Sequence, residues 1–323
     1  LRIVFAGTPA VAEPTLVALA AAHDVVAVIT RLDAPIGRKR VLTPSPVAER
    51  AAALDLPVIK ANTLDAAVTD QVASLHPDLG VIVAYGGFVR EPLLGTPRLG
   101  WINLHFSLLP RWRGAAPVQR AVIAGDEVTG ASVFQLVPAM DAGDVFATLT
   151  TTVGAHQTSG HLLDSLAHTG AGLVLQVVAA LAGGTAAARP QVGEVTLAPK
   201  LSLDDARLDW SRPLAEVYRR LRGVTPEPGA FTVVNGQRLK ILEAEPAHDV
   251  PSIPPGRIRL ASGSVVVGTA DVPLRLLRVH PAGKKGMPAI DWWRGVVPSA
   301  QNNGQASSLD SGGTTQQEEL TAE

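Results

Sequence analysis

The sequence predicts a two-domain α/β protein: a Rossmann-like domain with a mostly parallel sheet, followed by a small OB-like β-barrel domain. Three observations carry this expectation. Residues 1–184 alternate short β-branched runs with helical stretches, an order that lays helices over a parallel sheet. Within residues 206–297 one helix is followed by short alternating strands with Gly or Pro turns, the pattern of a small barrel. The length of 323 residues also exceeds what a single core usually organises.

In order along the chain, residues 2–6 form a strand, 9–22 a helix and 25–30 a second strand. A loop then leads to a helix at 47–54, a strand at 58–60 and a helix at 64–75. Residues 79–84 and 100–105 are nearly continuous apolar runs, as expected of strands covered on both faces. Ligands of such sheets lie beyond the carboxyl ends of the strands, which directs attention to residues 6–8, 85–87 and 103–107. Residues 129–137 and 145–153 pair across a turn, and Ser159–Ala182 is a helix stopped by Gly183 and Gly184.

Residues 185–205 show no periodicity and read as a linker. The second domain begins with a helix at 213–221. Strands follow at 230–234, 238–244, 256–261, 264–268 and 274–279. Residues 298–323 are acidic and rich in Gln, Ser, Gly and Thr, which predicts a disordered tail.

Composition narrows the function classes. With 46% hydrophobic and 18% charged residues, the chain reads as a soluble globular protein. It has no cysteine, so a disulfide framework, a thiolate nucleophile and Cys-based metal sites are excluded, and a cytoplasmic location is expected. The opening residues lack a signal-peptide pattern and no apolar run is long enough to span a bilayer, so no membrane role is expected. The net charge is −1, yet residues 200–297 hold 15 basic against 10 acidic residues, which suits a polyanionic partner as well as an ordinary surface. Gly7-Thr8-Pro9 lacks the further glycines of a dinucleotide fingerprint, and no P-loop is present. His156, His161 and His168 are spaced too widely to share one helical turn as metal ligands.

The strongest chemical signal is the alternation of Asn103, His105 and Ser107, which share one face if the strand continues. A polar strand end bonding to nearby backbone would look the same. A second loop, Met140-Asp141-Ala142-Gly143-Asp144, offers carboxylates beside a glycine turn. An Asp next to a His raises its pKa and gives a charged, oriented proton donor near neutral pH. Asn, His and Asp together can manage an oxyanion and a proton without a covalent intermediate.

The run Asn103-Leu-His105-Phe-Ser107-Leu108-Leu109-Pro110-Arg111-Trp112-Arg113-Gly114-Ala-Ala-Pro117 resembles the signature of formyltransferases that use 10-formyltetrahydrofolate, particularly those acting on methionyl-tRNA. The likeness extends through residues 2–9, 37–46, 140–144 and 283–291, and covers residues 1–297. It implies formyl transfer from 10-formyltetrahydrofolate, as co-substrate, to the α-amino group of initiator methionyl-tRNA, with no metal and no protein partner. It also implies Asn103, His105 and Asp141 as catalytic residues, with Asp144 the competitor for the acidic role. The folate would lie against Tyr85, Gly86, Gly87, Phe88, Ser107, Leu108, Leu109 and Pro110. Residues 31–46 match an insertion that reaches the tRNA acceptor end, through Arg38, Lys39 and Arg40. Their bland reading is a mobile, solvated basic loop. Arg111-Trp112-Arg113 is either a nucleic-acid-facing trio or a packed surface feature. Two other functions fit the pattern: formyl transfer to a small amine such as glycinamide ribonucleotide or an amino sugar, and non-catalytic tRNA binding.

Overall fold

The computed structural model describes residues 1–37, 39–296 and 319–322. The chain divides into two compact units. One is made of residues 1–121, 126–154 and 161–200, and the other of 122–125, 155–160 and 201–323.

In the first unit the strands are β1 (Arg2–Gly7), β2 (Asp24–Thr30), β3 (Ala34–Ile36), β4 (Val41–Thr43), β5 (Val58–Lys60), β6 (Leu79–Val83), β7 (Trp101–His105), β8 (Arg113–Gly114), β9 (Val128–Gln135), β10 (Val145–Thr152) and β11 (Leu197–Ala198). The helices are α1 (Glu13–Ala22), α2 (Pro46–Ala53), α3 (Ala66–Ser74), α4 (Pro117–Ala124), whose last turn belongs to the second unit, and α5 (Ser159–Ala182), which begins there. Seven strands form one sheet in the order β10-β9-β7-β6-β1-β2-β5. Its five central and right-hand members run parallel, and β9 and β10 are antiparallel additions. Every residue of β6 is buried, as are all but the first of β1 and β2, which explains their unbroken apolar sequences. Ser45 and Asp65 cap α2 and α3 by accepting from the backbone N–H three residues on.

The helix α5 is 24 residues long and passes the length and composition test for a membrane span, which corrects the expectation that no segment does. Leu162, Leu166, Val174, Val177 and Val178 are buried, while His168 and Asp164 are exposed, so one apolar face packs and the other meets solvent. Residues 185–200 also depart from expectation. Rather than a linker, most of this segment is knitted into the first unit: Arg189 and Val145 exchange backbone hydrogen bonds, and β11 pairs with β8 in parallel. Without a periodic side-chain pattern, long-range hydrogen bonds of backbone and side chains define it. The hairpin β3–β4 replaces the expected loop after β2.

The second unit contains α6 (Leu214–Gly223), β12 (Phe231–Val234), β13 (Gln237–Pro246), β14 (Arg257–Ala261), β15 (Ser264–Val267), β16 (Leu274–Pro281), β17 (Met287–Pro288), α7 (Ala289–Val296) and β18 (Glu319–Thr321). Its sheet runs β12-β13-β16-β15-β14-β18, antiparallel throughout, with β17 beside β16. The disorder expected for 298–323 fails at its far end, where β18 pairs with β14 and Ala322 bridges back to Val234 of β12. That bridge links the last strand of the order to the first, as in a barrel. Ala322 is buried with Trp210, Val217, Ile241, Trp292 and Trp293 in one apolar cluster, so a segment of low hydrophobicity gains order from the strand edges it joins. The rest of the tail lies outside the described residues.

Candidate active site

Strand β7 carries Asn103 and His105 to the carboxyl end of the sheet, between β6 and β9. His105 is 6% exposed and packs edge-on to Phe134. Its Nε2 lies 2.8 Å from the carbonyl of Trp112, and because a carbonyl only accepts, Nε2 carries the proton in the neutral ring. Nδ1 then faces Asp141 Oδ2 at 3.8 Å. Burial lowers the pKa of His105 and outweighs the opposing pull of the Asp141 charge and the Trp112 carbonyl. Contrary to the expectation that Asp141 raises it, the His105 pKa is shifted downward, because a carboxylate at 3.8 Å offsets only part of the lost hydration.

Asp141 sits in the left-handed region (φ +48°), and its Oδ2 accepts from the Gly114 N–H at 2.7 Å. Gly143 follows because its backbone passes against the Gln135 carbonyl, where a Cβ would collide. Asp144, the competitor for the acidic role, is exposed.

Asn103 and Asp141 both line a cavity of about 630 Å³. Its other walls are chiefly apolar, among them Ile82, Phe88, Val89, Leu94, Leu136 and Met140. The Asn103 Oδ1 is buried and has no hydrogen-bond partner among the described residues, an unmet acceptor at the cavity wall. Gly87 and Phe88 also line this cavity, and Phe88 is 68% exposed.

The remaining expected folate residues are not among those lining this cavity. Tyr85 is buried and donates from its hydroxyl to the Ala61 carbonyl, while the Gly86 carbonyl accepts from Arg31, so both hold the loop behind Phe88. Strand β7 ends at His105, and Ser107 turns inward to donate to the Arg111 carbonyl at 2.6 Å. Ser107 thus closes the turn containing Leu108, Leu109 and Pro110. In the trio that follows, Arg111 and the Trp112 indole both donate to Asp126, and Arg113 donates to Gln191. These are packing roles, and Asp126 fixes the residue whose carbonyl holds His105.

Lys39 and Arg40 are exposed at the tip of the β3–β4 hairpin, beside the exposed Ile36, Val41 and Leu42. Arg38 lies outside the described residues. Among the described residues no cluster of three or more His, Asp or Glu could hold a metal. Sequence reasoning missed Gln191, whose two amide N–H groups donate to the carbonyls of Asp141 and Gly143. Neither periodicity nor a motif singled it out.

Residues 1–178 match the formyl transferase family, and residues 200–297 match the formyl transferase C-terminal domain. The methionyl-tRNA formyltransferase of Clavibacter sepedonicus is 59% identical over 298 residues, covering 92% of this chain and 98% of that protein. The methionyl-tRNA formyltransferase of Leifsonia xyli subsp. xyli is 59% identical over 296 residues, with the same shares covered. Among solved structures, the N-formyltransferase from Helicobacter canadensis in complex with folinic acid and dTDP-3-aminofucose shares the fold at a TM-score of 0.65 and 14% identity, over 85% of this chain and 98% of that one. Two matched domains and this identity over nearly the whole described length mean that the chain belongs to the formyl transferase family.

Proposed function

We propose that this chain transfers a formyl group from 10-formyltetrahydrofolate to the α-amino group of methionyl-tRNA, a step of translation initiation and hence of the cytoplasm. The observation that carries the chemistry is the meeting of the unpartnered Asn103 amide oxygen and the Asp141 carboxylate in one largely apolar cavity, with His105 directly behind. The substrate assignment is supported by relatives named for that activity at 59% identity.

The cavity suits a flat heteroaromatic group: Phe88 offers an exposed ring face, and Ile82, Leu94 and Leu136 exclude water. The folate supplies a formyl carbon already activated by its nitrogen. In the transfer, the amine loses one proton and the departing nitrogen gains one, so the protein must position both groups and move a proton. Asn103, through its amide, bonds the reacting groups: Oδ1 accepts from an amine N–H, or the NH₂ donates to the formyl oxygen as charge develops there. Asp141 takes the amine proton directly or through water. His105, with Nδ1 toward Asp141, can hold that proton in turn until it is handed to the departing folate nitrogen, which closes the proton balance.

Outside the cavity, Lys39 and Arg40, together with Arg38 of the same basic run, are proposed to meet the acceptor-end phosphates, and the basic residues of the second unit the body of the tRNA. Formyl transfer to a small amine would need neither feature. The test is incubation of the purified chain with 10-formyltetrahydrofolate and charged initiator tRNA. Formylmethionyl-tRNA is the expected product, and turnover of small amines alone would overturn the assignment.

A further inference from the structure

Gln191 joins the 141–143 loop to Arg113 through four side-chain hydrogen bonds. Its Nε2 donates to the carbonyls of Asp141 and Gly143, each at 2.8 Å, and its Oε1 accepts from Arg113 Nε at 3.1 Å and Nη2 at 2.5 Å. Both N–H groups and the oxygen are thus engaged, and the partners fix the amide's orientation. Turned over, it would set oxygen against two carbonyls and NH₂ against a guanidinium.

We propose that Gln191 is a positioning residue for formyl transfer, clamping the 141–143 loop to β8 so that the Asp141 carboxylate faces His105 and the cavity. The inference rests on the function proposed above. Arg113 grips the Gln191 oxygen, Gln191 grips the Asp141 backbone, and the N–H of Gly114, next to Arg113, grips the Asp141 carboxylate at 2.7 Å. These contacts close a ring of bonds around one residue. Asp141 needs such support because its left-handed backbone is one that an L-residue other than glycine rarely holds unaided. Without the clamp, two carbonyls lose their donors, the loop relaxes and the carboxylate leaves its place 3.8 Å from His105.

Gln191→Ala and Gln191→Glu separate this role from simple packing. Glutamate can still accept from Arg113 but has no N–H for the loop carbonyls. Both variants should therefore lose kcat by about 10- to 100-fold, the cost of an ångström-scale misplacement. KM for the charged tRNA and for the folate should stay within about twofold. Val192→Ala, at the exposed neighbouring position, should match wild type. Hydrogen exchange gives a readout free of activity: the Gly114 amide should exchange at least about tenfold faster in both variants while core amides keep their protection. If Gln191→Ala fails to fold, Gln191→Glu, with its Arg113 contact intact, carries the test. Wild-type kcat in Gln191→Glu, or unchanged Gly114 exchange, overturns the clamp. If wild-type protein fails to formylate methionyl-tRNA, it is the function reading that falls, and the exchange measurement still decides whether Gln191 holds the loop.

Discussion

Two features at the carboxyl side of the first unit's sheet are built on opposite principles. At the end of β7, His105 is buried, bonded to backbone and shifted by that burial to a lower pKa, with its Asp141 partner held from the backbone N–H of Gly114. Beyond the end of β2, the β3–β4 hairpin is exposed on both strands, with Lys39 and Arg40 unshielded and Leu42 68% exposed. The contrast suits the tasks proposed for the two features. Proton handling requires fixed distances in a dry site, whereas a phosphate backbone is reached by mobile cations whose hydration is only partly lost.

The largest effects should come from breaking the buried side. Asn103→Ala, His105→Ala and Asp141→Asn should each lower kcat by at least about 10²-fold while tRNA affinity persists, since each removes charge stabilisation or proton handling. Asp144→Asn, on an exposed side chain of the same loop, should cost less than about twofold. Steady-state kinetics on the four variants decide it. A dead Asp144→Asn beside an active Asp141→Asn would reverse the acidic assignment.

The exposed side should fail differently. Replacing Lys39 and Arg40 together by Ala should raise KM for the charged tRNA by about tenfold, leave KM for the folate unchanged, and reduce the salt dependence of tRNA binding by about two charges. An equal change in both KM values would show that the hairpin serves the cavity rather than the tRNA.

How much of this could be read from the sequence depended on whether a feature is local. The parallel sheet followed from buried apolar runs such as residues 79–83, and Asn103 and His105 from their alternation on β7. Ser107 continues the same alternation, but the strand stops two residues earlier, and its hydroxyl turns to backbone. The downward shift of the His105 pKa is not legible in the sequence, because proximity to Asp141 is visible in a motif and burial is not. Gln191 was invisible for a similar reason: its partners lie about 50 and 78 positions away, joined only by the folded backbone.

The tail extends the comparison to the second unit, where order is borrowed from an edge. Deleting residues 298–323 should remove β18 and the bridge from Ala322 to Val234, exposing the edge of β14. The loss of Leu320 and Ala322 packing is worth about 1–2 kcal/mol by the area they cover. That corresponds to a fall of roughly 5 °C in the melting temperature of this unit. Formyl transfer at moderate temperature should be nearly unaffected. Calorimetry of full-length and truncated protein checks this, and an unchanged melting profile would mean that β18 contributes nothing to the fold.

The smallest expected effect is a shift in one titration, and its sign distinguishes burial from charge at the carboxyl end of β7. Burial holds the folded pKa of His105 below its ordinary 6.5, while Asp141 pulls it upward. Asp141→Asn removes only the upward pull, so the ring should titrate at a still lower pH, read from its imidazole NMR signals. The linkage runs in the matching direction. Above about pH 6.5 the ring is neutral in both folded and unfolded chains and makes no difference. As the pH falls from there toward the folded pKa, the unfolded chain binds a proton that the folded one refuses, so stability is lost. His105→Gln should flatten that part of the stability curve, and Asp141→Asn should steepen or extend it. A rise in the His105 pKa on removal of Asp141 would mean that the carboxylate does not act on the ring by charge, leaving desolvation and the Trp112 carbonyl as its controls.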